Sequence, residues 1–448
     1  MIEQHRPGPH VATVGLPKEL IDHVRPSFAR FLRIEAAGGV VLLLCAVAAV
    51  LLSNADFGQA LSAFWDTWLG LRLGDLEAGR SLKAWINDGL MTLFFFLVAL
   101  ELKRELVLGE MRKPRMAALP LAAALGGMAG PAALFLALQW GTPTQRGWGI
   151  AMATDTAFVI ACLALLGRRV PQSLRVFMLM LAIVDDVGAI LVVAIGYSNG
   201  IDWHMLALAA LCVVLMRFMA RIGIRQFSPY VLSGCALWLA IDASGLHATI
   251  AGVILGLMTP ARRWVSDTRL YGILRQVVAH PAGRAGSGNT RDRKTLLIAE
   301  LAARESLSPV ERLEMALHPW VSFCVMPLFA LANAGLQLSW EHARQPVAVA
   351  VFLGFVVGKP AGIVLFSWLA LRAGLASRAP ELGWRMLVGG GFLAGIGFTM
   401  ALLIADLGLN GQVLDSAKMG IFLASLCSAG LGLALLLWAS RPAGRAPG

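Results

Sequence analysis

Charge is scarce in this sequence. Of 448 residues only 15% are charged and 58% are hydrophobic, with a mean hydropathy of +0.71. A soluble domain runs to about 45–50% apolar and about 25% charged, so a soluble globular fold is excluded, and disorder with it. The 47 glycines and 20 prolines follow no Gly-X-Y period, which removes collagen-like and low-complexity classes. There is no C-x-x-C: all six cysteines lie inside apolar runs and are expected to be small packing residues with no metal or redox role. Residues 1–33 hold five basic residues but no apolar stretch of signal-peptide type, so they read as an uncleaved tail. The net charge of +11 builds no continuous basic face between apolar segments, so nucleic acid is not an expected partner.

What remains is an all-α polytopic membrane protein. A bilayer core is crossed by about 20 mostly apolar residues in a helix, and such runs lie near 34–53, 86–108, 116–140, 147–166, 174–197, 204–220, 319–338, 347–371, 385–409 and 416–438. Two shorter runs, 227–241 and 245–260, are separated by Asp242-Ala243-Ser244-Gly245, a turn signal that favours two spans over one. The expectation is twelve transmembrane helices. With the N-terminus inside, 31 of the 38 Lys and Arg fall on inside segments, six (Arg72, Arg80, Lys83, Arg146, Arg344 and Lys418) fall outside, and only Lys359 is left within the membrane. That bias places both termini in the cytoplasm. Trp140, Trp148, Trp203, Trp340 and Trp438 flank the runs as interfacial anchors. The expected organisation is a tail at 1–33, a twelve-helix domain at 34–440 with a long cytoplasmic connection at 261–310, and a tail at 441–448. The connection has a Gly-Ser-Asn-rich middle, and Lys294 to Arg304 reads as a surface helix.

Few charges break the apolar runs, and each is a candidate for function. Asp185 and Asp186 sit between Phe177–Val184 and Val187–Ile195, where insertion costs about 2.5–3.5 kcal/mol per carboxylate. Neighbouring helical residues point about 100° apart, so the two acids face different surroundings. Lys359, in Val357-Gly358-Lys359-Pro360-Ala361, lies too deep to snorkel and needs a counter-ion; Asp185 or Asp186 is the natural partner. Asp155, in Ala153-Thr154-Asp155-Thr156, marks an interrupted helix, and Gly395-Ile396-Gly397-Phe398-Thr399 marks another in the 385–409 span. Matching interruptions in 116–197 and 347–438 point to inverted repeats with a site between them. Facing half-helix N-termini accumulate positive charge that Asp155 would offset, and facing C-termini negative charge that Lys359 would offset.

Two close carboxylates suit a hard cation such as Na⁺ or Li⁺, and the same oxygens take protons. Competition for one site gives antiport if that site faces one side at a time. An intramembrane aspartyl protease needs its acids on separate helices, and its Gly-x-Gly-Asp is absent. A channel would not pair a lysine into its path. An ion-coupled symporter of a small organic solute on the same scaffold stays open as the alternative.

Val184-Asp185-Asp186-Val187-Gly188-Ala189-Ile190, Ala153-Thr154-Asp155, Gly358-Lys359-Pro360, Leu393 to Met400 and Phe96 to Leu106, in order along Arg33 to Trp438, resemble the NhaA family of bacterial sodium/proton antiporters. Inverted repeats with two crossing interrupted helices are a known property of that family, so the resemblance implies them. It further implies electrogenic exchange of cytoplasmic Na⁺ or Li⁺ for external protons across the inner membrane, with no enzyme activity, cofactor or structural metal. Asp185 and Asp186 would be the ion and proton site at the end of a cytoplasmic funnel, and Lys359 the partner of Asp185. Thr154, Asp155, Gly395, Gly397 and Thr399 would form the crossing. Glu101, Lys103, Arg104, Glu105, His247 and Glu314 match pH-response positions, although read bare Glu101 and Glu105 are an ordinary solvated helix end. Asp88 matches a family acid near the start of the second span, and Asn54 to Lys83 the region of a hairpin contact in a homodimer. The sequence departs from the family in the length of 261–310 and in the acid Asp406.

Overall fold

A computed structural model describes residues 35–440, apart from 57, 74–75, 110–113, 198–199, 224–226, 262–266, 280–296, 304–305 and 337. Both tails and the Gly-Ser-Asn middle of the long connection lie outside the described residues. The elements run α1 Glu35–Ser53, α2 Gly58–Trp65, a hairpin of β1 Trp68–Leu73 and β2 Leu76–Ser81, α3 Leu82–Val107, α4 Pro114–Gln139, α5 Pro143–Met152 (a 3-10 helix), α6 Thr156–Leu166, α7 Gln172–Gly196, α8 Trp203–Ile222, α9 Phe227–Ala243, α10 Ile250–Met258 and α11 Asp267–Ala279. There follow α12 Pro309–Asn333, α13 Trp340–Arg344, α14 Pro346–Arg372, α15 Trp384–Ala394, α16 Phe398–Gly408 and α17 Gly411–Ala439.

Among the described residues eight helices are long and apolar enough to cross a bilayer, or ten if α1 with α2, and α15 with α16, each count as one span. The two short runs of the sequence reading are α9 and α10, 17 and nine residues long. In the long connection, residues 297–303 are helical inside the surface helix expected from the sequence; α11 was not foreseen.

Two units repeat the same order of elements: α4, broken α5/α6, α7, and α14, broken α15/α16, α17. Their first helices are the most closely packed pair, and glycine is the reason. A Cβ on Gly126 would lie 2.2 Å from the Gly362 carbonyl oxygen, and one on Gly130 2.5 Å from that of Gly358. Glycines four apart on both helices let the backbones touch. Because 126 meets 362 and 130 meets 358, the helices run antiparallel, which makes the units inverted. Gly362→Ala is therefore expected to prevent assembly, since its Cβ would meet backbone at 2.0 Å, whereas Gly430→Ala, with nothing within 4 Å, leaves yield and melting temperature unchanged. Size-exclusion profiles of the two variants check this.

Among the described residues three π-helical turns interrupt the spans, at Trp85–Leu90, Val321–Val325 and Gly354–Gly358. The last two end two residues before Pro327 and Pro360. A proline lacks the N–H its helix requires and crowds the carbonyl one turn back; a wider turn accommodates both effects. The turn at Gly354–Gly358 thus sets the direction in which Lys359 leaves its helix.

Several sequence expectations are corrected here. The interfacial tryptophans are outward-facing at Trp140, Trp203, Trp340 and Trp438, but Trp148 packs against the core. Lys418, counted among the outside charges, is buried in α17 at 7% exposure, so it is not a loop charge. Of the cysteines, Cys235 and Cys324 are exposed and do not pack. Antiparallel pairing from Trp68↔Ser81 to Leu73↔Leu76 forms a hairpin; the readable signal was the two-residue Gly74-Asp75 between alternating strands.

Candidate functional site

Chain 153–155 is extended where α5 ends, and chain 395–397 turns where α15 gives way to α16 at 46°. The two breaks lie against each other: the Asp155 amide donates to the Ile396 carbonyl at 2.7 Å. Glycine is required at this crossing. A Cβ on Gly397 would enter the Phe355 ring at 2.3 Å, and one on Gly395 would meet Ser428 Oγ at 2.7 Å and the Phe355 carbonyl oxygen at 2.8 Å.

Each break exposes helix ends inside the membrane, and side chains from elsewhere meet them. Asp155 serves both N-termini. Its Oδ1 accepts from the Phe158 amide at the start of α6 (3.4 Å), and its Oδ2 accepts from the Thr399 amide at the start of α16 (3.0 Å) and from the Thr399 hydroxyl. One carboxylate thereby caps two facing helices, as their partial positive charge demands. The C-termini are met from the opposite direction. Lys359 Nζ donates to the Met152 carbonyl, the last of α5; the Thr154 hydroxyl lies 3.1 Å from the Ala394 carbonyl, the last of α15, and within hydrogen-bond reach of Asp185 Oδ2.

The acidic pair projects from the middle of α7 into this crossing. Asp185 is fully buried and Asp186 is 4% exposed. Lys359 Nζ, also fully buried, stands 2.7 Å from Asp185 Oδ2. Asp186 turns to the other side, where its Oδ2 accepts from the Thr156 hydroxyl at 3.1 Å. Asp185 Oδ1 has no hydrogen-bond partner among the described residues. A buried carboxylate oxygen left open is costly, and the acid that carries it is the chain neighbour of a second buried acid. Thr156 and the Met152 carbonyl were not named as site groups from the sequence. Thr156 directly follows the Thr-Asp that marks the break, and that adjacency was the available signal.

The remaining candidates separate into two groups at opposite ends of α3. At its C-terminal end Arg104 pairs with Glu314 of α12 and lies 3.3 Å from Glu105, and Lys103 donates to the Leu257 carbonyl of α10. Glu101 lies one turn before Glu105 on the same helix. Glu314 is 9% exposed, with Oε2 buried and unpartnered among the described residues. His247 does not join them. It lies before α10, its Nε2 3.1 Å from the Tyr197 carbonyl at the far end of α7, because α10 runs from Gly252 beside Thr92 to Gly256 beside Phe96 and Ala99, parallel to α3. Asp88 belongs to that same far end, where Arg80 of β2 bridges it (2.6 Å) to Asp242 and stacks on Trp238. Asp406 ends α16 there too, paired with Lys83 at 2.9 Å and with Asn87 at 3.1 Å. Asn87 and Asn333 exchange amide hydrogen bonds of 3.2 and 2.7 Å, and Asn333 uses its second N–H on the Phe329 carbonyl, so this buried pair is satisfied.

Among the described residues no cluster of three or more His, Cys, Asp or Glu could hold a metal ion. The crossed helices and their buried charges define a multi-pass membrane transporter rather than an enzyme. The chain belongs to the Na⁺/H⁺ antiporter 1 family, whose model matches residues 29–436. It is 56% identical over 421 residues to the Na⁺/H⁺ antiporter NhaA 2 of Acidiphilium cryptum, covering 94% of each chain. It is 55% identical to the Na⁺/H⁺ antiporter NhaA of Rhizobium meliloti, covering 95% of this chain and 98% of that one, and 48% identical to the NhaA antiporter of Rhodopirellula baltica, covering 96% and 98%.

Proposed function

We propose that the protein exchanges Na⁺ or Li⁺ from the cytoplasm for external protons at Asp185 and Asp186. The observation that carries this reading is the pair itself: adjacent carboxylates buried at a helix crossing, one holding a lysine and keeping an oxygen open. An oxygen-seeking cation takes ligands from both acids and from Thr156. Protons satisfy the same oxygens, so each species displaces the other. Lys359 is the switch, since a cation bound at Asp185 competes with its ammonium and frees it to move. Alternating access follows when the half-helices around Asp155 tilt and present the pair to one side at a time.

The transport is electrogenic, with more protons entering than sodium ions leaving. Glu101, Lys103, Arg104, Glu105 and Glu314 adjust it to cytoplasmic pH; His247, at the far end, acts separately. The protein sits in the bacterial inner membrane with both termini cytoplasmic, and pairs into a homodimer through the β1/β2 hairpin. No cofactor takes part. The relatives lend no support to organic-solute symport.

Everted vesicles from a host lacking its own antiporters test this. With an acid interior imposed, Na⁺ and Li⁺ are expected to collapse the pH gradient and K⁺ is not, with a response that changes across external pH. A gradient that persists in the presence of Na⁺ at every pH, with the protein expressed and inserted, overturns the reading.

A further inference from the structure

An open groove of about 720 Å³ runs along the outer face of α14 and α15, and all ten residues lining it are apolar. It extends from Val356 beside Lys359 to Trp368 near the end of α14. At 1.5 Å per residue that is about 18 Å, close to one leaflet of a hydrocarbon core of about 30 Å. Its inner end touches Pro360 and Ala361, which follow Lys359 directly. Its outer end is framed by Trp368 and Trp384.

Each of those tryptophans carries an arginine. The guanidinium carbon of Arg372 lies over Trp368, 5.1 Å from the ring centroid, and that of Arg378 over Trp384 at 5.3 Å, both cation–π contacts. A guanidinium held over a ring keeps its positive charge and its N–H groups for an anion. Arg378 Nη1 is buried with no hydrogen-bond partner among the described residues, an unusual state for so strong a donor. The single acid between the two helices, Glu381, is exposed. Two cationic forks over an apolar trench one leaflet long have the chemistry of a phospholipid with an anionic headgroup.

We propose that an anionic phospholipid occupies this groove, its phosphate held by Arg372 and Arg378 and an acyl chain laid along α14 as far as Pro360. The lipid lies in the leaflet on the side of Arg104 and Glu314, since the Ser377 amide donates to the Arg115 carbonyl at the start of α4 (3.3 Å). It braces the helix that presents Lys359 to Asp185.

Arg385 supplies an internal control. It stacks on Trp438 at 4.5 Å, which does not line the groove, so its loss removes the same charge and the same ring contact. The test is thermal stability of purified protein titrated with dioleoyl-phosphatidylglycerol or dioleoyl-phosphatidylcholine, which share acyl chains. Phosphatidylglycerol is expected to raise the melting temperature at concentrations where phosphatidylcholine does not. Arg372→Ala with Arg378→Ala should weaken its apparent affinity about tenfold or more, through two lost charge-assisted contacts, and Arg385→Ala should not. Ala361→Trp, which fills the trench without touching charge, should also abolish the shift. Equal stabilisation by both lipids overturns the proposal, as does an Arg385→Ala loss matching that of the double variant. It also fails if glycerol 1-phosphate stabilises as well as the whole lipid. A change of oligomeric mass in Ala361→Trp, with no lipid response in the parent, assigns the groove to a second copy of the chain instead.

Discussion

Asp186→Asn is expected to reduce Na⁺-driven proton movement to the level of vesicles without the protein. The substitution keeps the shape of the side chain and its acceptor for the Thr156 hydroxyl at 3.1 Å, so the crossing should still assemble. It removes the negative charge that attracts a cation and the oxygen that takes a proton, and both halves of the cycle stop together. Thr156→Val removes less. It deletes one hydroxyl donated to a carboxylate, a contact of about 1.5 kcal/mol where the acceptor is charged, so exchange continues while half-maximal Na⁺ rises about tenfold. Gradient measurements in everted vesicles at matched expression separate the cases. Substantial exchange in Asp186→Asn would remove this carboxylate from the ion path, and a Thr156→Val variant as dead as Asp186→Asn would place the hydroxyl there instead.

The charged residues of the crossing were legible because they interrupt otherwise apolar runs. Asp185, Asp186 and Lys359 interrupt stretches that nothing but a membrane span explains, and hydrocarbon leaves a buried charge few options besides another charge or a helix end. The chain breaks were legible for a similar reason: Thr-Asp-Thr and Gly-x-Gly inside a span supply backbone caps and close approach, which a continuous helix does not need. From these, sequence alone reaches the pairing of Lys359 with an acid and of Asp155 with two N-termini.

What escaped depends on contacts distant in sequence. Asn87 and Asn333 are 246 residues apart, and an amide at the edge of a span reads as an interfacial residue until its partner is known. Lys418 lies eight residues into α17 and looked like a loop charge. Its charged neighbours, Lys83, Asp406 and Asp415, come from three separate segments, so its burial follows from their meeting and not from its own surroundings in the chain. His247 was grouped with Glu101 and Glu314 by position in a motif set, yet the direction of α10 carries it to the opposite face. Direction is a tertiary property: a short helix reads the same from sequence whichever way it crosses. The π turns escaped too: two of them stand before Pro327 and Pro360, but Pro120 and Pro131 lie within a continuous α4 and the turn at Trp85–Leu90 holds no proline, so proline alone does not mark them.

Lys359→Ala is expected to cost about 3–5 kcal/mol of stability, because it leaves the Asp185 carboxylate buried without its counter-ion. The Met152 carbonyl at the end of α5 loses its donor in the same step, so the first broken helix loosens where α16 depends on it. Asp185→Asn leaves the buried Lys359 ammonium without its counter-ion in turn and is expected to cost a similar amount, although Lys359 keeps the Met152 carbonyl and the new amide keeps the contact with Thr154 Oγ1. Adding Asp185→Asn to Lys359→Ala removes the stranded charge and should recover most of the loss, leaving about 1–2 kcal/mol for the vacated volume and the unpaired carbonyl. Unfolding in detergent of the two single variants and the double gives the coupling directly. Additive losses would mean that the 2.7 Å contact holds little energy. Recovery of stability in the double variant without recovery of transport would separate the two roles of the pair: the lysine keeps Asp185 tolerable in the membrane at rest, and its displacement by a cation is what couples binding to the tilt of the helices.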